Sequence, residues 1–308
     1  MRVIVTGASG FIGRNVLLRA PRDWRITAVY HHTPGLEQFV EAHGLSQVTA
    51  VRCDLTDQAA VQRLAATAGG RADAVLYLAA NGDPAVSVER PRWDLESNTL
   101  ALVTFLEHCP ADHVVYVSSG AVYDGLTGPV TPATAVSPRL PYAISKLASE
   151  QYLRFFAERR QTIGSYLNVR FFGAYGPYEP ARKMTTKWMR AVLDGQRELT
   201  VRGDGNNLVD FMYVDDAVDG FLALTAARGV SATVDFASGA PVSVNDVVGA
   251  LSRVLDTEIA VRHAGHSEEY IRFRTVDTAM RDRFGVQPAI SFTDGVARLH
   301  RFLTSEAV

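Results

Sequence analysis

The chain has 308 residues, a formal net charge of −2 and two cysteines. Positive and negative charges are interspersed, which excludes a basic stripe for nucleic acid and a cationic face for a membrane. Cys53 and Cys109 are isolated, and no apolar run is long enough to span a bilayer. A strand is predicted directly after Met1, so we expect a cytoplasmic protein with no signal peptide and reduced cysteines.

The first element is a buried strand that leads into a glycine-rich turn. Residues 3–5 are β-branched without alternation, which is typical of a strand covered on both faces. Residues 6–13 space their glycines as G-x-x-G-x-x-G, so the first permits a tight turn, the second admits a pyrophosphate and the third lets the next helix lie close. The predicted cofactor-binding residues of this turn are Gly7, Gly10, Phe11, Ile12 and Gly13.

Strands and helices then alternate along the chain, and this order predicts an α/β fold with a Rossmann-type, doubly wound parallel sheet. The predicted strands are 3–5, 26–30, 48–52, 74–80, 114–118 and 164–171, and the predicted helices include 58–68, 97–108 and 141–160. Beyond residue 173 the chain becomes rich in glycine and proline. We therefore predict a dinucleotide-binding domain over 1–172 and a smaller, mainly substrate-binding lobe over 173–308, with 235–237 a candidate for return to the sheet.

Two residues four apart carry the candidate chemistry. Tyr142 and Lys146 would lie on one face of a helix that starts near Pro141. A neighbouring cation favours the phenolate of Tyr142, which could then move a proton while hydride passes between a substrate carbon and a nicotinamide. Ser119, at the end of the fifth strand, is placed to donate a hydrogen bond to the same substrate oxygen.

Taken together, these pieces resemble the extended short-chain dehydrogenase/reductase family, which includes nucleotide-sugar epimerases, dehydratases and 4-keto reductases. The matching segments are 6–13, 53–55, 78–80, Ser87, Asn98, 118–119, 141–146, 170–177 and 210–216. The resemblance implies that Asp54 and Leu55 hold the adenine and that Leu78, Ala79 and Ala80 line the cofactor. It also implies that Ser119, Tyr142 and Lys146 are catalytic, and that a homodimer forms through helices beginning near Ser97 and Pro141.

The chain departs from the family at positions that commonly touch the nucleotide diphosphate. Gly173 stands where many members have Asn, and Val209 stands where they have Arg. Positive charge could come instead from Arg182, Lys183, Lys187, Arg202 or Arg274. The predicted substrate-binding residues are accordingly Ser119, Gly173, Lys187, Arg202 and Arg274, and the predicted substrate is a nucleotide sugar. His263 and His266 lack a third ligand, so no metal is expected.

Three functions remain open. Dehydration is disfavoured, because Gly120 and Ala121 follow Ser119 where family 4,6-dehydratases usually have Asp-Glu. The second strand ends in Tyr30-His31-His32 without a carboxylate for a ribose 2'-hydroxyl, and His31, His32 or Arg14 could bind a 2'-phosphate. We therefore predict NADP(H) over NAD(H) and a 4-keto-6-deoxyhexose reductase, with an NAD-dependent nucleotide-sugar 4-epimerase as the alternative. A non-catalytic NAD(P)-sensing regulator is the second alternative.

Overall fold

The computed structural model describes residues 1–265 and 272–305. Its first twelve strands are β1 (Arg2–Thr6), β2 (Arg25–Tyr30), β3 (Val48–Arg52), β4 (Ala74–Tyr77), β5 (Ala111–Ser119), β6 (Thr127–Val130), β7 (Ile163–Phe171), β8 (Ala174–Tyr175), β9 (Glu198–Arg202), β10 (Leu208–Val209), β11 (Met212–Tyr213) and β12 (Ala232–Phe236). The strands β13 (Val242–Ser243), β14 (Ala260–Ala264) and β15 (Arg272–Thr275) follow.

The helices lie between these strands and cover the central sheet. They are α1 (Phe11–Arg19), α2 (Leu36–Ala42), α3 (Gln58–Thr67), α4 (Pro84–Glu89), α5 (Pro91–Leu95), α6 (Ala101–His108), α7 (Pro141–Phe155), α8 (Met184–Leu193), α9 (Val214–Ala226), α10 (Val244–Val254), α11 (Ala279–Phe284) and α12 (Phe292–Ser305). Wider π-helical turns join α5 to α6 (Glu96–Leu100) and extend α7 (Phe156–Arg160), and a 3-10 turn follows β5 (Gly120–Tyr123).

Seven parallel strands form the central sheet in the order β12-β7-β5-β4-β1-β2-β3. The predicted α/β, Rossmann-type fold is therefore confirmed. The chain winds outward from β1 through β2 to β3 and then returns to β4 on the other side of β1. Ligands of such sheets bind at the carboxyl ends of the strands beside this reversal, so the crevice at β1 and β4 is the expected cofactor site.

Two predicted elements end earlier than expected. The predicted strand 74–80 stops at Tyr77, because the amides of Leu78 and Ala79 both donate to the Thr6 hydroxyl at 3.1 Å instead of continuing the ladder. The predicted helix 141–160 is α-helical only to Phe155 and then widens into the π turn, which ends at Gln161 with a φ of 55°.

The second half of the chain contributes to the sheet and also builds short separate ladders. The segment near Asp235 lies in β12, which pairs with β7 at one edge of the central sheet. Two-stranded ladders join β14 to β9 and β15 to β6, and both pair segments that are distant in sequence. The division into domains at residues 172 and 173 stays a prediction.

Within the described residues, no helix combines the length and apolar character needed to cross a bilayer. Cys53 and Cys109 are buried free thiols. The same residues contain no group of three potential metal ligands, and the His263 ring lies 2.9 Å from the Gly203 carbonyl oxygen. His266 falls outside the described residues.

A buried polar network fixes β12 against the loop after β5. The Tyr123 hydroxyl donates to Asp235 at 2.8 Å, and the Thr275 hydroxyl donates to the same carboxyl at 2.6 Å. Arg170 donates to Tyr123 and forms a bidentate ion pair with Glu150 of α7. Asp235 is only 2% exposed. Burial raises its pKa from 3.8 to about 6, against the hydrogen bonds from Thr275 and Tyr123 and the charge of Arg170.

This shift predicts a pH-dependent stability that Asp235→Asn removes. Because the folded-state pKa is raised, the folded protein binds more protons than the unfolded chain between about pH 4 and 6, and stability falls as the pH rises through that window. We expect Asp235→Asn to raise the free energy of unfolding by about 2 kcal/mol more at pH 8 than at pH 4, measured in urea. The exposed Asp23→Asn is the control, and an equal gain at both pH values would contradict the prediction.

Candidate active site

The turn between β1 and α1 requires glycine for reasons of space. Gly7 has a φ of +66°, and a Cβ there would lie 2.9 Å from the Ala79 amide nitrogen. A Cβ on Gly13 would lie 2.4 Å from the Gly7 carbonyl oxygen, and one on Gly10 would lie 3.2 Å from the same atom. The turn is therefore packed against itself and against the end of β4, and Gly10, just before α1, is its exposed residue.

The helix that follows the turn is suited to bind phosphate. Gly10 is its N-cap residue, and no side chain caps the first turn, which begins at Phe11. Helix amides and the helix dipole favour an anion at this position, so the residues fit the pyrophosphate of a dinucleotide. Arg14 donates to the Ser9 carbonyl oxygen at 3.1 Å, and its guanidinium lies 5.0 Å from the centre of the Phe39 ring.

The end of β2 differs from the surroundings predicted for a 2'-phosphate. The His31 Nε2 lies 3.8 Å from an Asp54 carboxylate oxygen, and the centres of the tilted His31 and His32 rings are 3.7 Å apart. Asp54 is also held by Thr56, whose amide and hydroxyl donate at 2.9 and 2.7 Å. Burial acts to raise the pKa of Asp54, but the Thr56 hydrogen bonds and the two histidines outweigh it and lower that pKa. A carboxylate from the loop after β3 therefore already faces His31.

The residues predicted to hold the adenine and to line the cofactor lie along the carboxyl edge of the central sheet. Asp54 and Leu55 lie just beyond Cys53, which follows the end of β3, and Leu55 is buried. Leu78 and Ala79 are partly buried, whereas Ala80 is exposed. The structure thus places these residues on both sides of the glycine turn.

The catalytic candidates meet where β5 ends and α7 begins. Ser119 is the last residue of β5, and its Oγ accepts from the Ala121 amide at 3.1 Å. The Ser119 hydroxyl lies close enough to the Tyr142 phenol to influence its protonation. The Lys146 ammonium donates to the Val117 carbonyl oxygen at 2.9 Å and lies 5.8 Å from the centre of the Tyr142 ring. The hydroxyl, phenol and ammonium predicted from the sequence are therefore brought together.

Ser87 fixes the start of α7. Pro141 occupies the first turn, and the next amide, that of Tyr142, donates to the Ser87 hydroxyl at 3.1 Å. Ser87 is fully buried and donates in turn to the Pro84 carbonyl oxygen at 2.6 Å. The sequence marks Ser87 only as a family match, and its role as a cap for α7 required the tertiary structure.

The surroundings of Lys146 and Tyr142 shift the pKa values of both side chains. Burial lowers the pKa of Lys146 to about 8, although the charges of Asp94 and Glu150 act to raise it. Burial raises the pKa of Tyr142, the hydrogen bond with Ser119 lowers it, and the charge of Asp94 raises it. A protonated Lys146 and an oxidised nicotinamide would both favour the phenolate, so Tyr142 can serve as a proton acceptor when the cofactor is bound.

The sequence did not reveal the polar cluster beneath α7. Asn81, Asp94, Asn98 and Ser145 are each no more than 7% exposed and are joined by hydrogen bonds. The sequence signals for it are the family match at Asn98 and the spacing of Asp94 and Asn98, which are four apart and therefore share one face of a helix.

The predicted substrate residues lie on separate elements. Lys187 (α8), Arg202 (β9) and Arg274 (β15) are exposed. Gly173 has a φ of +138°, and a Cβ there would lie 2.7 Å from the Phe211 ring, so glycine allows this aromatic ring to close on the backbone. Arg182 forms an ion pair with Asp83 at 3.1 Å, which links the second half of the chain to the loop after β4.

Comparison with known proteins agrees with this site. Residues 3–234 match the model of the NAD dependent epimerase/dehydratase family. The chain belongs to this family. It is therefore an enzyme of the extended short-chain dehydrogenase/reductase group, and the resemblance seen in the sequence is confirmed.

The relatives include both isomerases and dehydratases. The chain is 28% identical to a dTDP-glucose 4,6-dehydratase of Xanthomonas campestris, over 96% of this chain and 90% of the relative. It is 26% identical to a UDP-glucose 4-epimerase of Mycolicibacterium smegmatis, over the full length of both. Among solved structures, MoeE5 in complex with UDP-glucose and NAD is similar with a TM-score of 0.87 and 25% identity, covering 100% of both chains.

The glycine turn predicts the effect of Gly10→Val. A branched side chain at this position would occupy the space needed by the pyrophosphate, so we expect NAD affinity to fall by at least about a hundredfold. Quenching of protein fluorescence on titration with NADH measures this change. Gly249→Ala in α10, where a Cβ lies 3.5 Å from the Arg253 side chain, is the control. Unchanged affinity in a folded Gly10→Val protein would contradict the assignment.

Proposed function

We propose that the chain is an NAD-dependent nucleotide-sugar 4-epimerase that acts on a UDP-linked hexose. The observation that carries this proposal is the grouping of Ser119, Tyr142 and Lys146 beside the glycine turn. The two residues after Ser119 add no second acid and base, such as dehydration would need. The similar UDP-glucose 4-epimerase and the UDP-glucose and NAD of the MoeE5 complex support the substrate and cofactor class.

The residue after Ser119 argues against dehydration, although several relatives are dehydratases. Gly120 is buried, and a Cβ there would lie 3.1 Å from the Phe172 ring. An Asp at this position would require Phe172 to shift. Gly120 and Ala121 also offer no group to donate or accept a proton at a second carbon of the sugar. The site is therefore equipped for proton transfer at one oxygen.

The mechanism assigns one role to each residue. When bound, NAD supplies the hydride acceptor and donor. Tyr142 takes the proton of the sugar C4 hydroxyl and later returns it to the same oxygen after the sugar has presented its other face. Ser119 donates a hydrogen bond to that oxygen, and the charge of Lys146 stabilises the phenolate.

For the cofactor, we propose NAD in place of the NADP(H) preference predicted from the sequence. That preference depended on His31 as a ligand of a 2'-phosphate, but the ring already faces the Asp54 carboxylate at 3.8 Å. A phosphate near Asp54 would experience like-charge repulsion. The comparisons favour NAD and do not support NADP.

A 4-keto-6-deoxyhexose reductase is the second candidate. The observation in its favour is the end of β2, where Tyr30, His31 and His32 supply no carboxylate for a ribose 2'-hydroxyl. The same catalytic residues serve both reactions, so the two candidates differ in whether the reduced cofactor is released and in the substrate.

Two assays separate these candidates. Incubation with UDP-glucose and NAD is expected to form the C4 epimer without net change in reduced-cofactor absorbance, because the hydride returns to the sugar. Separation of the two UDP-sugars by chromatography measures the product. Stoichiometric loss of NADPH with a dTDP-4-keto-6-deoxy sugar, and no epimer from any UDP-hexose, would contradict the epimerase and establish the reductase.

Tyr142→Phe is the matched control for these assays, because it removes only the hydroxyl. Loss of a general acid and base typically reduces turnover by about a hundred- to ten-thousandfold. A variant that keeps more than about a tenth of wild-type turnover would show that Tyr142 does not carry the proton.

We also propose a homodimer. Five large apolar side chains on α5, α7 and the π turn after α5 are 46–52% exposed, namely Leu95, Leu100, Ile144, Tyr152 and Phe155. Because α5 packs against α7, these residues belong to one surface. A second copy would bury it, as the family resemblance implies. The cytoplasmic location stays a prediction.

Light scattering after gel filtration tests this surface. Wild-type protein is expected to elute as a dimer, whereas Leu100→Glu combined with Phe155→Glu is expected to be monomeric, since charges would have to be buried. Leu208→Glu is the matched control, because Leu208 is 42% exposed on β10, away from this surface. A monomeric wild-type protein at micromolar concentration would refute the proposal.

A further inference from the structure

The Asp94 carboxylate lies beneath the catalytic helix and is 1% exposed. One oxygen accepts from the Asn81 side-chain amide at 2.8 Å and from that of Asn98 at 3.0 Å. The other oxygen accepts from the Ser145 hydroxyl at 2.7 Å. These three donors are neutral, so they satisfy the hydrogen-bonding capacity of the carboxylate without neutralising its charge.

Ser145 connects this carboxylate to the turn of α7 that carries the chemistry. It lies between Tyr142 and Lys146 in sequence, and its hydroxyl also contacts the Tyr142 carbonyl oxygen at 2.9 Å. Its own carbonyl oxygen accepts from the Thr99 hydroxyl at 2.9 Å. The helix backbone between Tyr142 and Lys146 is therefore held in place by hydrogen bonds from Ser145 to Asp94 and from Thr99 to Ser145.

Four titratable groups surround the Lys146 ammonium on the elements packed against it. Tyr142 and Glu150 share its helix, Tyr116 of β5 presents its ring 5.1 Å away, and Asp94 of α5 acts on it through its charge. Glu150 is bound by the Arg170 guanidinium at 2.9 Å and receives a hydrogen bond from Ser118. Asp94, by contrast, accepts hydrogen bonds only from neutral donors among the described residues. The charges of Asp94 and Glu150 both act to raise the pKa of Lys146, and that of Asp94 is the larger effect.

We propose that Asp94 is a positioning residue, whose buried carboxylate fixes the turn of α7 at Ser145 and keeps Lys146 protonated beside the Tyr142 phenol. An ammonium that is 4% exposed loses its proton readily unless a carboxylate compensates for the lost hydration. A neutral Lys146 would no longer stabilise the phenolate. The same carboxylate disfavours the phenolate directly, so its benefit comes through the lysine.

The inference rests on Tyr142 and Lys146 being the catalytic pair of the proposed function, but its test needs no substrate. The chain has three lysines, Lys146, Lys183 and Lys187. Protein labelled with ¹³C at the lysine ε carbon therefore gives three signals, which Lys183→Arg and Lys187→Arg assign. Both of these side chains are exposed, and their signals serve as internal references.

Two variants separate the charge of Asp94 from its hydrogen bonds. Asp94→Asn removes the charge, while its oxygen can still accept from Asn81 and Asn98 and its amide can donate to Ser145. Ser145→Ala removes the hydroxyl and keeps the charge. In Asp94→Asn we expect the midpoint of the Lys146 titration to fall by about one pH unit, and in Ser145→Ala we expect it to stay in place.

An unchanged Lys146 midpoint in folded Asp94→Asn protein would overturn the proposal. An equal shift in Ser145→Ala would overturn the role of the Asp94 charge, because the effect would then come from the lost hydrogen bond at Ser145. Asp94→Ser is a second charge-free variant, whose smaller side chain leaves room for water, should Asp94→Asn not fold. If the proposed sugar substrate is wrong, wild-type protein lacks epimerase activity but its lysine titration is unaffected, so the two failures are distinguishable.

Discussion

The burial of the Lys146 charge is the constraint on which the site depends. The ammonium is enclosed between β5 and α7, where the Val117 carbonyl oxygen accepts one of its protons. An ammonium buried without partners would be strongly unfavourable, so α7 must lie at the position where carbonyl and carboxylate groups surround it. Because Tyr142 is one turn earlier on the same helix, this placement also sets the phenol beside Ser119.

The cofactor crevice depends on a second close contact, between β1 and the end of β4. The Thr6 hydroxyl accepts hydrogen bonds from the Leu78 and Ala79 amides, and there is no room for a Cβ on Gly7 because Ala79 lies too close. This contact ends β4 and leaves the glycine turn facing the same edge as the end of β5. Phosphate binding and proton transfer therefore share one edge because β1, β4 and β5 are parallel neighbours.

The end of the second strand shows how local sequence can mislead about cofactor preference. His31 and His32 indicate a site for a 2'-phosphate when only their own strand is considered. The partner of His31 is Asp54, which follows the neighbouring strand 23 positions later and brings a negative charge to the same place. Gly173 is similar, since the reason for its missing side chain is the Phe211 ring, which arrives from a distant part of the chain.

The sequence by itself determined the order of strands and helices, the glycine turn and the spacing of Tyr142 and Lys146. These features are local, because strand and helix periodicity, tight turns and pairs four apart in a helix depend on neighbouring residues. Only the tertiary structure decided the short ladders of the second half, the cap at Ser87 and the cluster around Asp94. Each of these joins residues from separate elements, and a buried polar group finds its partner through packing, which local sequence does not specify.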